Sequence, residues 1–568
     1  MAVVAIIYAA RLYYVQIIKG SAYRVTADAQ YVSQASSVFD RGTIYFTTKS
    51  GNNIPAATLN EGYTIAINPS LLKNPEDDFN LLSNILPIDS NTFISKASKQ
   101  DLYEVIATKI SKVSENKIST LDIAGIEIAK EAWRLYPAST TAAHQIGFVG
   151  YGKSSDELSG QYGIEKYYDD ILGRGQGDAF VNFFAELFSN IQIALSPDNE
   201  KAGDVVTTIE PSVQNELEHE LALVQNQFKT DLDGGIVMDP KTGAIYAMAS
   251  LPTFDPNTPS AFATDTISIS GTANPQSVFI DPLVEDRFEM GSIVKPLAMS
   301  VALEAGDVTP TTTYTDTGFV MIDGKKVSNY DGKARGLINM QTVLSDSLNV
   351  GMAFVESQTG KQTMRDGLLK FDIGQKTGID LPNEVSGQVS NLDAPRDLEL
   401  ANAAFGQGIA LSPIETIRAL SSLANGGILP DPHIVSKIIY PDGTSKIMNY
   451  SATDRSISTT TAATITNMLI NVNEQGLVQV NPQAVLTHYS VADKTGTAQI
   501  ANPAGGGYYT DRYLHSFFGY FPASAPRFII FLFAVNPKGQ EYASHTLTSP
   551  FIDLRNFLIS YYNIPPDR

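Results

Sequence analysis

The spacing of hydrophobic positions changes near residue 203. Before this point, short strand-like runs such as residues 63–70 alternate with polar connections rich in Ser, Asn, Asp and Lys. After it, longer apolar patterns with helical spacing alternate with strands. A chain of 568 residues is also too long for a single hydrophobic core. We therefore predict a mainly β domain over residues 20–203 and a mixed α+β domain over residues 204–568.

Several elements of the second region follow directly from the apolar pattern. Residues 204–209 alternate as a strand, and Pro211 then opens a helix whose apolar residues recur every three to four positions. Residues 234–250 predict a β-hairpin, because a Pro-Lys-Thr-Gly turn separates two apolar runs. Near the C-terminus, residues 527–535 predict a buried strand, and residues 551–563 predict a helix that covers it.

The N-terminus carries a short apolar run, Ala2–Ala10. A membrane-spanning helix needs about 20 apolar residues, so this run is too short to span a bilayer by itself. It is either the outer end of a membrane anchor or an amphipathic helix packed on the following segment. The tyrosines at Tyr8, Tyr13 and Tyr14 are typical of a membrane interface and favour the anchor. Residues 1–19 are therefore predicted to be the remnant of a membrane anchor.

Composition excludes several classes of function. The formal net charge is −20, which argues against a nucleic-acid partner, because phosphate binding needs a basic surface. The chain has no cysteine, so thiolate metal sites, thiol nucleophiles and disulfides are excluded. Its six histidines show no metal-binding spacing. We expect neither a metal nor a cofactor.

The pattern Ser-x-x-Lys occurs three times, but only one copy opens an apolar helix. The three copies are Ser70/Lys73, Ser114/Lys117 and Ser292/Lys295. Ser292 begins a run with helical apolar spacing, so its hydroxyl would lie beside free backbone N–H groups and the positive end of the helix dipole. Lys295, one turn further on, would reach this hydroxyl and act as a base when burial removes its proton. For this pattern alone, the alternative is a capping serine and a solvated lysine.

Two further signals become informative only in combination with the first. Ser347 and Asn349 lie in a short polar loop between two apolar helical runs, where both side chains can point into one cleft. The triplet Lys-Thr-Gly also occurs three times, and only the copy at Lys494 continues as a strand pattern. A glycine within a strand often marks the close approach of another backbone, which suits a peptide substrate along a sheet edge. Lys494 would bind a carboxylate and lower the pKa of Lys295.

Together, in this order, the three signals form the serine-lysine set of the β-lactamases and penicillin-binding proteins. Nearly the whole chain resembles the class B penicillin-binding proteins, which are membrane-anchored peptidoglycan D,D-transpeptidases. The other segments that resemble this family are FDRGTIYF (39–46), RLYPAST and AAHQIGFVGY (within 134–151), YGIEKYYDDILGRGQG (162–177), GGIVMDPKTGAIYAMASLPTFDPN (234–257) and FGQGIALSPIE (405–415).

The resemblance implies a serine acyl-enzyme mechanism. Ser292 would attack the carbonyl between the two terminal D-alanines of a stem peptide, and Lys295 would accept its proton. Ser347 would relay a proton to the departing amine, and Asn349 would hold Lys295 and the substrate amide.

The strand at Lys494 would bind the donor peptide. Lys494 and Thr495 would hold the terminal carboxylate, and Gly496 would let the peptide approach the strand. The backbone N–H groups of Ser292 and Thr497 would form the oxyanion hole.

The resemblance also implies the architecture and the partners. A transpeptidase domain with an antiparallel sheet flanked by helices would follow an elongated, mainly β pedestal domain and a single membrane anchor, with the catalytic domain outside the cytoplasm. The expected partners are peptidoglycan stem peptides, β-lactams, the cytoplasmic membrane and a polytopic glycosyltransferase. Three alternatives remain open: a β-lactamase-like hydrolase, a β-lactam sensor and a catalytically weak scaffold.

Overall fold

The computed structural model describes residues 40–151, 158–173, 202–272, 274–452 and 454–568. The predicted anchor at residues 1–19 lies outside them. Within these ranges, no helix combines the length and the apolar character needed to cross a membrane. The described chain divides into two compact units, and each is discontinuous in sequence.

The smaller unit includes residues 58–135, and its strands carry helices on one face. Its central strand is the second part of Asn53–Ile67, which pairs antiparallel with Glu104–Ile110 and with Ile126–Leu135. The helices are Pro75–Ser83, Ser90–Ala97 and Lys112–Ser119. Their apolar faces meet the sheet in a core of Ile65, Ile67, Leu82, Leu86, Phe93, Ala97 and Ile118.

The larger unit combines residues 203–568 with residues 44–57 and 136–172. This differs from the single boundary predicted near residue 203. The reason is visible in one sheet, because the strand Ile44–Thr47 pairs in parallel with Asp204–Thr207 and antiparallel with the first part of Asn53–Ile67. The remaining strands of this sheet within the unit are Val435–Ile439 and Ser445–Ile447. Strand pairing of this kind joins segments that are distant in sequence, so a local change in composition does not reveal it.

A five-stranded antiparallel sheet forms the centre of the larger unit. Its strand order is Ala492–Ala501, Tyr508–Phe521, Phe528–Val535, Leu232–Met238 and Ile245–Leu251. The predicted hairpin over residues 234–250 and the predicted strand over residues 527–535 are therefore confirmed. Phe528–Val535 is buried on both faces, which explains why its sequence is continuously apolar rather than alternating.

Helices cover both faces of this sheet. On one face, Pro211–Phe228 and the C-terminal helix Thr548–Tyr562 bury their apolar sides against alternate strand residues, as the sequence predicts. Pro211 occupies the first turn, and the side chain of Glu210 accepts a hydrogen bond from the N–H of Val213, which caps the helix.

The opposite face packs against a second group of helices, which includes the one that follows Ser292. The other helices of the unit are Ala143–Ile146, Gly163–Tyr167, Asp169–Leu172, Pro282–Glu285, Lys295–Ala305, Met340–Ser345, Asn349–Thr359, Lys361–Leu369, Asp397–Ala404, Pro413–Ala424 and Thr459–Asn471. The remaining strands form four small two-stranded sheets: Val149–Tyr151 with Leu158–Gly160, Thr266–Ile267 with Gln276–Ser277, Thr313–Asp316 with Gly336–Asn339, and Phe319–Ile322 with Lys325–Ser328.

Candidate active site

Ser292 lies in a 3₁₀ turn, Gly291–Val294, that leads directly into the helix Lys295–Ala305. The serine is partly exposed, whereas the Lys295 side chain is fully buried one turn further on. Gly306 adopts a φ of +78° and ends the helix. Among the three Ser-x-x-Lys copies, only the copy at Ser292 pairs a partly exposed serine with a buried lysine.

The backbone before Ser292 is fixed by two hydrogen bonds from distant segments. The hydroxyl of Ser516 donates to the carbonyl of Met290 at 2.7 Å, and the N–H of Gly291 donates to the carbonyl of Gly406 at 3.0 Å. A Cβ atom on Gly406 would lie 2.0 Å from the Gly291 carbonyl oxygen, and one on Gly496 would lie 2.3 Å from the Ser516 hydroxyl. Only glycine permits these approaches, so both glycines help to set the position of Ser292.

Ser347 occupies an unusual backbone conformation. It follows the helix Met340–Ser345, and its φ of +54° lies in the left-handed region that normally favours glycine. The N–H of Leu348 donates to the carbonyl of Val343 at 2.9 Å, and the N–H of Ser347 donates to that of Leu344 at 3.2 Å. These two bonds form the usual hydrogen-bond pattern by which an α-helix ends at a residue in the left-handed conformation. Here serine takes the position that glycine usually occupies.

Both lysines of the predicted site converge on Ser347. The Lys295 amine donates to the Ser347 carbonyl at 2.5 Å and to its hydroxyl at 3.2 Å. The Lys494 amine donates to the same hydroxyl at 3.0 Å and to the Thr495 carbonyl at 2.9 Å. Since the hydroxyl oxygen accepts from both amines, its own proton can point to a third partner.

Burial perturbs the protonation of both lysines. The pKa of Lys295 is lowered well below its ordinary value by burial and, to a smaller extent, by the charge of Lys494. Burial also lowers the pKa of Lys494, to about 8, although the neighbouring carboxyl of Asp493 acts in the opposite direction. Burial in turn raises the pKa of Asp493 to about 7. Burial therefore favours the neutral amine at Lys295, whereas Lys494, with a pKa of about 8, stays mostly protonated at neutral pH.

Asn349 is close to these groups but has a different partner from the one predicted. Its amide nitrogen donates to the carbonyl of Ser328 at 3.1 Å. Among the described residues, the hydrogen bonds of Lys295 go to Ser347 and none goes to Asn349 or to the Ser292 hydroxyl. Catalytic hydrogen bonds are often long in the absence of substrate, so this geometry still allows the Ser292–Lys295 contact to form on binding.

The strand with Lys494, Thr495 and Gly496 lies at an edge of the central sheet, as the peptide-binding hypothesis requires. Thr497, further along it, accepts a hydrogen bond on its hydroxyl from the N–H of Ala543 at 3.1 Å. A Cβ atom on Gly291 would lie 2.9 Å from the Thr497 carbonyl, so the turn with Ser292 packs directly against this strand.

Comparison with known proteins agrees with this geometry. Residues 234–553 match the penicillin binding protein transpeptidase domain, and residues 38–182 match the penicillin-binding protein dimerisation domain. The chain belongs to the penicillin-binding protein transpeptidase family. The predicted family and its transpeptidase activity are thereby confirmed.

Individual relatives are similar over most of their length. The chain is 29% identical to stage V sporulation protein D of Bacillus subtilis, over 97% of this chain and 82% of that protein. It is 25% identical to peptidoglycan D,D-transpeptidase FtsI of Escherichia coli, over 86% of this chain and 78% of that protein. The structure of penicillin binding protein 3 from Mycobacterium tuberculosis in complex with aztreonam shares the fold, with a TM-score of 0.69, 24% identity and coverage of 93% and 97% of the two chains.

Some residues that shape this family site were not assigned from the sequence. Ser516 lies in an apolar strand, where a lone serine carries no signal, and Gly406 lies in the Gly-rich segment quoted above but had no assigned role. Across the described ranges, no group of three or more His, Asp or Glu side chains is placed to hold a metal ion.

Proposed function

We propose that this chain is a serine-type peptidoglycan D,D-transpeptidase. Ser292 Oγ attacks the carbonyl carbon between the two terminal D-alanines of a donor stem peptide, and the N–H groups of Ser292 and Thr497 stabilise the oxyanion. The C–N bond then breaks, terminal D-alanine leaves as a free amine, and the rest of the peptide remains as an ester on Ser292. An amine from a neighbouring stem peptide attacks this ester, which forms the cross-link and releases Ser292.

Lys295 is the proposed base. As a neutral amine it donates two hydrogens to Ser347, and its lone pair is then free to accept the proton of Ser292. The proton passes from Lys295 to the Ser347 hydroxyl, which gives its own proton to the departing amine. The hydrogen bond between Lys295 and Ser347 supports this path.

Lys494 is proposed to hold the substrate carboxylate together with Thr495 and Gly496. Two of its three N–H groups already have acceptors within the protein, so the third can bind an anion in the cleft. Asn349 is proposed to bind the substrate amide through its carboxamide oxygen, since its nitrogen is occupied by Ser328.

The observation that carries this proposal is the convergence of two buried amines, one of them on the residue one helical turn after Ser292, on one serine hydroxyl. Incubation with penicillin and intact-mass measurement tests it. We expect a single, slowly released adduct that the Ser292→Ala substitution abolishes. The matched controls Ser70→Ala and Ser114→Ala also remove the serine of a Ser-x-x-Lys sequence and should leave labelling intact. Labelling that survives Ser292→Ala contradicts the nucleophile, and rapid release of the adduct would indicate a β-lactamase.

We further propose that residues 1–19 anchor the protein in the cytoplasmic membrane, that the pedestal lies within residues 20–203, and that residues 204–568, joined by residues 44–57 and 136–172, form the extracytoplasmic transpeptidase domain. A polytopic glycosyltransferase is the proposed partner of the anchored protein. Replacing Ala2–Ala10 with a cleavable export signal should leave penicillin labelling intact and abolish growth complementation. Complementation by this soluble variant would contradict the need for an anchor.

A further inference from the structure

The helix that follows the Ser347 loop begins without a cap of its own. This helix, Asn349–Thr359, is preceded by Leu348, whose apolar side chain cannot accept a hydrogen bond. The first N–H groups of any helix need partners from outside the helix. A capping side chain in the preceding position usually supplies one of them, and its loss destabilises the start of the helix.

The missing cap comes from a neighbouring hairpin. Asn329, which follows the strand Lys325–Ser328, accepts a hydrogen bond on its carboxamide oxygen from the N–H of Val350 at 3.1 Å. The adjacent carbonyl of Ser328 accepts the amide of Asn349 at 3.1 Å. Two consecutive hairpin residues therefore hold two consecutive residues at the start of the helix.

Asn329 is itself held in one orientation. Its amide nitrogen donates to both carboxylate oxygens of Asp316, at 3.1 and 3.0 Å, and to the Lys333 carbonyl at 3.2 Å. Asp316 also accepts hydrogen bonds from the Tyr314 hydroxyl at 3.1 Å and the Arg335 N–H at 2.8 Å. Asn329 is 3% exposed and Asp316 is 1% exposed. With the amide nitrogen committed to the carboxylate, the oxygen must face Val350.

We infer that Asn329, oriented by Asp316, is a positioning residue for Ser347. This inference rests on the proposed function, because it assigns Asn329 to the reaction of Ser292. Asn329 acts through the helix start only three residues beyond Ser347. Because Ser347 is the common acceptor of Lys295 and Lys494, a shift of this loop separates both amines from their shared hydroxyl.

The test is the rate of penicillin acylation in the full chain, separated into initial binding and the chemical step. In Asn329→Ala we expect the chemical step to slow by about 10- to 100-fold, with little change in binding, because misplacement of a catalytic group by about 1 Å has an effect of this size. Equal loss in binding and chemistry, or no loss, overturns the proposal.

Asn257 provides a matched control. Its carboxamide also bridges a carboxylate and a backbone N–H, donating to Asp255 at 2.9 Å and accepting from Tyr136 at 3.0 Å. Asn257→Ala therefore removes the same chemical contacts from a site that touches neither Ser347 nor its helix, and acylation should stay at the wild-type rate. An equal slowing in both variants would reveal a general loss of structure and overturn the proposal.

A double variant identifies the route of action. If Asn329 works through Ser347, adding Asn329→Ala to Ser347→Ala should slow acylation no further than Ser347→Ala alone. Multiplied losses overturn the proposal. If Asn329→Ala does not fold, Asp316→Asn is the alternative variant, because it keeps the side-chain shape but weakens the hydrogen bonds that orient Asn329. We expect Asp316→Asn to slow the same chemical step, and a wild-type rate overturns the proposal. The proposed function fails separately, if penicillin still labels Ser292→Ala.

Discussion

Replacing Ser347 should separate catalytic loss from fold stability. In this site the residue that both lysines contact has a backbone conformation better suited to glycine. Ser347→Ala and Ser347→Gly both remove the hydroxyl, but only glycine relieves the left-handed backbone. The two variants should therefore lose the same activity and differ in stability.

The size of each effect follows from the contacts. A side chain in the left-handed conformation costs about 1–2 kcal/mol, and glycine costs about 0.5–1 kcal/mol in chain entropy. Ser347→Gly should thus be more stable than Ser347→Ala by about 0.5–1 kcal/mol, or about 1–3 °C in Tm. Loss of a hydroxyl that accepts from a charged group, here the Lys494 amine, is worth about 1.5–3 kcal/mol, which should slow acylation by about 10- to 100-fold in both variants.

Thermal unfolding and penicillin acylation of both variants provide the assay. Lys229 is the control, because it is exposed and has a φ of 49° at the end of the helix Pro211–Phe228, which packs on the opposite sheet face from the helix after Ser292. Lys229→Gly should be more stable than Lys229→Ala by a similar amount, with wild-type acylation in both. Equal stability of the two Ser347 variants would refute the argument from backbone strain, and wild-type acylation in Ser347→Ala would refute the role of the hydroxyl.

Four further predictions concern the same site. Lys295→Arg should slow acylation by orders of magnitude at nearly unchanged Tm, since arginine stays protonated and cannot act as a base; near-normal acylation would point to another base. The rate of acylation against pH should fall above about pH 8, where Lys494 loses the proton that binds the carboxylate. Asp493→Asn should move this fall to lower pH, because the Asp493 carboxylate raises the pKa of Lys494; an unchanged profile would exclude the coupling. Gly406→Ala should reduce acylation, because its Cβ atom would lie 2.0 Å from the Gly291 carbonyl oxygen, and wild-type kinetics would show that this backbone contact is dispensable.

Local pattern determined much of the fold. The all-apolar run at residues 527–535, the proline after Glu210 and the Pro-Lys-Thr-Gly turn of the 234–250 hairpin each predicted the element that the structure contains. These signals succeed because burial, capping and left-handed turns depend on residues within a few positions of one another. The order and context of the three serine and lysine signals also identified the family, although each signal alone was weak.

Tertiary structure decided how these groups meet. Lys295 and Lys494 reach Ser347 across 52 and 147 positions of sequence, and no local periodicity encodes such a distance. The sequence also does not predict the left-handed conformation of Ser347, since a serine after a helix usually indicates an ordinary turn. Strand register and helix packing, which depend on the whole core, bring the lysines together and hold that serine where its hydroxyl can receive both.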